Sequence, residues 1–270
     1  MDSIGRRDVL VGAASIGVAG LSQVIFGPLS ARADAALAKS VYREFPSHDP
    51  AVVKETVGAS HARFDRVREL VTAQPALARA AWDWGFGDWE SALGAASHMG
   101  RRDIAEFLIE HGARPTLFSA AMLGQLEVVR GFVQASPGIQ RTPGPHGITL
   151  LSHARHGGDE AKRVVEYLES VGDADLRPET VQLEGSDRAK LVGTYGFGDG
   201  PEDRFTVYER DESLMIQRGK RTGRFLMALG DDTFYPSGAE AVRIRFDVEG
   251  AGISRLRVLD PDVVVTALRL

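Results

Sequence analysis

The chain has 270 residues, 43% hydrophobic and 26% charged, enough to bury a sizeable core in one or two domains. A formal net charge of −5 lacks the clustered Lys and Arg excess that a phosphate backbone demands, so no nucleic-acid partner is expected. The absence of cysteine excludes thiol nucleophiles, disulfides, iron–sulfur clusters and Cys-ligated zinc.

Residues 1–33 read as a signal peptide: Arg6-Arg7, an uncharged stretch from Val9 to Ala31, then Ala31-Arg32-Ala33 as a small-residue cleavage box. "GRRDVLV" resembles the twin-arginine export motif, with Gly5, Val9 and Val11 departing from its usual residues. That implies a periplasmic or secreted protein with no stable membrane anchor after cleavage. Loss of three Arg and two Asp with this segment takes the net charge from −5 to −6. Residues 34–56 follow as a short helix and a linker broken by the prolines of "PSHDP".

From 57 to 175 the pattern is helical and recurrent. In "SALGAASHMGRRDIAEFLIEHGARP", Ala92, Leu93, Ala95 and Ala96 make a small-faced helix that stops at Gly100. A second helix then carries Ile104, Ala105, Leu108 and Ile109 on one face. Related stretches place alanines at 59, 96, 121 and 154, spaced by 37, 25 and 33 residues. This pattern resembles the ankyrin repeat family, which implies a helical solenoid with projecting turns and an extended binding surface.

Residues 176–190 are polar and read as a linker, and 191–270 as β-structure. "RFTVYER", "SLMIQR", "GRFLMAL", "AVRIRFDVE", "ISRLRVL" and "DVVVTALRL" alternate apolar with polar residues between Gly, Asp and Pro turns, as in a small antiparallel barrel or curled sheet. Leu191, Gly193 and Tyr195 with "DTFYPS" and "VRIRFDVEG" loosely resemble the β-domain appended to serine hydrolases of the penicillin-binding-protein type. The fold expected is therefore α+β and multidomain: an ankyrin-like solenoid followed by a β-barrel or curled sheet.

All three tryptophans fall in "WDWGFGDWE". On a projecting turn, Trp82, Trp84 and Trp89 with Asp88 and Glu90 would form a binding tip, Trp84 exposed and Trp89 structural. His98, His146 and His153 are candidates to join them. His146, His153 and His156 offer metal-ligand chemistry, but a histidine in such an array more often bonds backbone, so no metal and no cofactor are expected. No nucleophile elbow, Ser-x-x-Lys, His-Glu-x-x-His, phosphate loop or dinucleotide fingerprint is present, and no catalytic residue is assigned. The balance favours a non-catalytic module recognising a protein or peptide. The alternative is a small-molecule binder or enzyme built on Trp82, Trp84, Asp88, Glu90, His98 and His146, and a deep pocket beneath them would favour it.

Overall fold

A computed structural model describes residues 42–249 and 252–270. The signal peptide and cleavage box expected from the sequence lie outside the described residues. Residues 48–270 form one compact unit that holds both the helices and the barrel.

Among the described residues four helical pairs come first. Helix α1 (Pro50–Ala59) starts at Pro50, earlier than the 57 read from sequence, because the Asp49 side chain accepts from the Ala51 N–H at 2.8 Å and Pro50 suits the first turn. Helix α2 (Phe64–Ala73) buries Val67, Leu70 and Val71. Helix α3 (Ala92–His98) is capped by Ser91, whose Oγ accepts from the Gly94 N–H at 2.9 Å, and all seven of its residues are buried. Helix α4 (Arg102–Glu110) packs back on it through Ile104, Ala105 and Leu108. The pairs α5 (Leu117–Met122) with α6 (Leu126–Ala135), and α7 (Leu150–His156) with α8 (Lys162–Val171), repeat this arrangement.

The first helices touch in the order α1, α3, α5, α7, and Ala59, Ala96, Ala121 and Ala154 are all fully buried where they meet their neighbours. The ankyrin solenoid expected from sequence is nevertheless corrected. Among the second helices α2 meets α4 and α6 meets α8, but no comparable contact joins α4 to α6. The apolar interior divides accordingly, one cluster running from α1 to α4 with Met122 and another from α5 to α8. The connections also differ, from a β-hairpin to a short link to paired 3-10 turns. Small residues followed by a glycine stop and paired aliphatics are what any closely packed helical hairpin requires, so that pattern does not by itself specify a solenoid.

The C-terminal part is a closed antiparallel barrel in the order β10-β3-β4-β5-β6-β7-β8-β9. Its strands are β3 (Gly193–Gly196), β4 (Arg204–Arg210), β5 (Ser213–Arg218), β6 (Arg224–Gly230), β7 (Thr233–Pro236), β8 (Arg243–Glu249), β9 (Gly252–Leu259) and β10 (Val263–Arg269). Closure comes from Leu268 opposite Gly196 and Arg269 opposite Tyr195, so the curled open sheet is excluded. Alternate residues such as Phe205, Val207, Ile244, Phe246, Leu256 and Val258 point inward and fill the barrel, as expected for eight strands. The supposed linker 176–190 includes helix α9 (Gly185–Leu191), and Leu191 is buried with the barrel core.

A two-stranded hairpin, β1 (Ala81–Asp83) with β2 (Trp89–Ser91), projects between α2 and α3. Gly85, Phe86 and Gly87 at its tip all have positive φ, a conformation that favours glycine. Phe86 packs onto the barrel cluster and stacks on Phe205 at 6.3 Å between ring centroids. The tip is therefore Phe86 rather than Trp84, and it fastens the hairpin to the barrel.

Candidate metal centre

Side chains alternate across a strand, so Asp88 and Glu90 leave the hairpin on one face while Trp89 leaves on the other. Asp88 and Glu90 are 3% and 1% exposed, and Trp89 is 65% exposed. This reverses the sequence expectation that Trp89 is structural and Trp84 exposed. Trp84 is half-buried, and its Nε1–H donates to Glu90 Oε2 at 2.7 Å.

Three imidazoles converge on the Glu90 carboxylate. His98 Nε2 lies 2.8 Å from Oε1, His146 Nε2 3.3 Å from Oε1, and His61 Nε2 3.4 Å from Oε2. The four ligand atoms all fall within 4.8 Å of one another. A tetrahedral site with bonds of about 2.0–2.1 Å has edges of roughly 3.3–3.4 Å, so the contacts to Glu90 are near that length and the widest separations would close by about 1 Å or more around one ion.

Two of the three outer nitrogens are anchored in the way metal-ligating histidines require. His61 Nδ1 lies 3.2 Å from both Val57 O and Gly58 O, an arrangement in which Nδ1–H donates to backbone and Nε2 is free to coordinate. His146 Nδ1 faces Asp88 Oδ2 at 2.7 Å, and the His146 backbone N–H donates to Asp88 Oδ1 at 2.9 Å. Asp88 in turn accepts from Arg224 of β6 at 2.7 Å, so the barrel supports the site from outside. Gly238 seals this junction. A Cβ there would lie 2.7 Å from the His146 Cα, and its φ of +81° is in the glycine-favouring region.

Electrostatics follow from the packing. Burial raises the Glu90 pKa, but hydrogen bonds from His146 and His98 and the charges of His146 and His61 outweigh it and hold the carboxyl at about 2. Burial lowers the His146 pKa, but Asp88 and Glu90 carry it up to about 9. Asp88 is held below its ordinary value against its own burial, chiefly by the side chain and backbone of His146. The two carboxylates thus favour the protonated form of His146. Asp88 holds the Nδ1 side of this ring, and Glu90 faces its Nε2.

Above this cluster a cavity of about 520 Å³ opens between the hairpin and the barrel, within the range of small-molecule sites. His61 and His146 line it together with Trp82, Trp84 and Arg224.

The structure thus gathers Trp82, Trp84, Asp88, Glu90, His98 and His146, and leaves Trp89 outside. His153 is fully buried beside His98, 6.4 Å between ring centroids, but its Nδ1 bonds the Thr149 carbonyl at 2.9 Å and its Nε2 has no partner among the described residues. His156 is exposed, so the His146, His153, His156 trio is not assembled. The four side chains that do converge are a different set, in which His61 and the supporting Arg224 were not singled out from the sequence. A signal for His61 existed: Ala59-Ser60-His61 and Ala96-Ser97-His98 are the same tripeptide. Each Ser Oγ donates to the carbonyl four residues earlier, at 2.8 and 2.6 Å, giving the two histidines equivalent stations on neighbouring helices.

No family model and no curated protein matches the chain, which removes the support for membership of the ankyrin family or of the hydrolase-appended β-domains. Among solved structures, one titled as a crystal structure of SurE aligns over 44% of this chain at 22% identity, with a TM-score of 0.27. The aligned part spans 28% of that chain, and so slight a likeness carries no argument about fold or activity.

Proposed function

We propose that this protein holds a divalent transition-metal ion through His61, Glu90, His98 and His146 and presents it to a small molecule in the adjoining cavity. The observation that carries the proposal is the convergence of three Nε2 atoms on one buried carboxylate, with two of the imidazoles anchored at Nδ1. Three imidazoles and one carboxylate suit zinc, iron, cobalt, nickel or copper rather than calcium or magnesium. The chemistry such an ion supplies is Lewis acidity toward an oxygen of the cavity's occupant. His61 and His146 line the cavity floor, so an ion between them faces that occupant.

A protein or peptide partner has less support, because Trp82 and Trp84 face the cavity and only Trp89 of the three tryptophans is exposed. Export by the twin-arginine route remains part of the proposal on the strength of Arg6-Arg7 and the cleavage box.

Titration of chelator-treated protein with Co(II), read by visible absorption, tests the metal centre. One equivalent should bind, and His61→Ala or His98→Ala should weaken uptake at least tenfold. Absence of a d–d band at millimolar Co(II), or uptake unchanged in both variants, overturns the assignment.

A further inference from the structure

We infer that the cavity above the metal centre receives an organic anion, with its apolar body against Trp82 and Trp84 and its charged head among basic side chains at the rim. The inference rests on the proposed metal centre for the floor of the site and adds the chemical class of the occupant.

The chain as a whole is acidic, with a net charge of −5, yet this cavity is basic. Lys54, Arg210, Arg221 and Arg224 line it against one carboxylate, Asp83. Asp83 is engaged locally, accepting from the Gly85 N–H at 2.7 Å. Arg224 is committed to Asp88 and to the Ser237 carbonyl, both at 2.7 Å.

Arg210 is partly engaged, 4.0 Å from Asp211 and over the Phe225 ring at 5.1 Å, whereas no carboxylate among the described residues lies within ion-pair distance of Lys54 or Arg221. Lys54 instead sits over the rings of Trp82 and Trp84, at 5.8 and 5.9 Å from their centroids. Two tryptophans, Met215 and Phe225 supply apolar wall.

Cations without counter-ions at the mouth of a partly apolar cavity attract an anion and raise its local concentration. A divalent ion on the floor adds to the positive field, and the arginine forks suit a carboxylate or a phosphate monoester. A cation or a neutral aromatic would gain only the apolar contacts.

The probes are benzoate and phenyl phosphate, with benzyl alcohol and benzylamine as neutral and cationic controls. Binding is read by tryptophan fluorescence, since all three tryptophans lie between 82 and 89. The same titrations run with and without one equivalent of Co(II), whose visible band reports separately on the metal. At least one anion should bind at millimolar concentration or tighter. Both controls should bind at least tenfold more weakly, and the double variant Lys54→Gln with Arg221→Gln should lose at least tenfold in anion affinity while its Co(II) band is unchanged.

No response to either anion, equal response to the controls, or full affinity in the double variant overturns the inference. Failure of Co(II) uptake alongside anion binding that the double variant loses overturns the metal centre and leaves the anion site standing.

Discussion

Glu90→Gln separates a metal ligand from a merely structural acid, because the amide keeps the shape of the side chain and removes its charge. In the metal-free protein the buried carboxylate accepts from Trp84 Nε1 and from His98, at 2.7 and 2.8 Å, and faces the charged His146. Hydrogen bonds to a charged group contribute about 1.5–3 kcal/mol each way of counting, and the amide retains part of the Trp84 bond, so a loss of about 2–3 kcal/mol is expected. Metal then enlarges the difference. At a free-ion concentration of 100 times the dissociation constant, the wild type gains about 2.7 kcal/mol from RT ln(1 + [L]/Kd). A variant that binds about 100-fold more weakly gains only about 0.4 kcal/mol at the same concentration. Urea denaturation followed by tryptophan fluorescence, with and without zinc, measures both gaps. Equal zinc-induced stabilisation in the two proteins would refute the role of Glu90 as a ligand, whatever happens to the metal-free stability.

His153 titrates in the other direction: burial, followed in weight by the Thr149 carbonyl that opposes it, leaves its pKa at about 4 against an ordinary 6.5. The unfolded chain then binds the extra proton first, so stability present above pH 6.5 is lost as pH falls toward 4, by an amount on the order of 3 kcal/mol. Denaturation midpoints between pH 7 and 4 should show that slope, and His153→Gln should flatten it. Trp84→Ala removes a cavity wall and the donor to Glu90 and should cost about 2–4 kcal/mol, whereas Trp89→Ala should change stability by less than about 0.5 kcal/mol. Melting curves of the pair check this, and a loss confined to Trp89 would contradict the hairpin's facing. Ala96→Leu should overpack fully buried α3 at a cost of about 1–3 kcal/mol, read by the same denaturation. Arg6→Lys with Arg7→Lys should leave precursor in the cytoplasm, and fractionation showing normal export would reject the twin-arginine route.

Much of the local structure was written in short-range pattern. Period-two alternation placed β4 at Arg204–Arg210 and β5 at Ser213–Arg218, because a strand half buried in a barrel needs one apolar face and one polar face. Glycine stops and paired aliphatics likewise marked the helical pairs. Five of the residues singled out do meet His146 at one site. What sequence could not decide was convergence. His61 and His146 come together because α1 packs beside α3, which brings the two Ala-Ser-His stations into register, and because the loop at Gly144–Gly147 turns back over the hairpin. Arg224 reaches Asp88 from 136 residues away because Phe86 docks the hairpin on the barrel. Periodicity reports which face of an element is buried, and it is silent on which buried faces meet. The choice between an extended array and paired helices closed off by a barrel depended on contacts between elements, and so did the choice between a decorated turn and a buried cluster of histidines on a carboxylate.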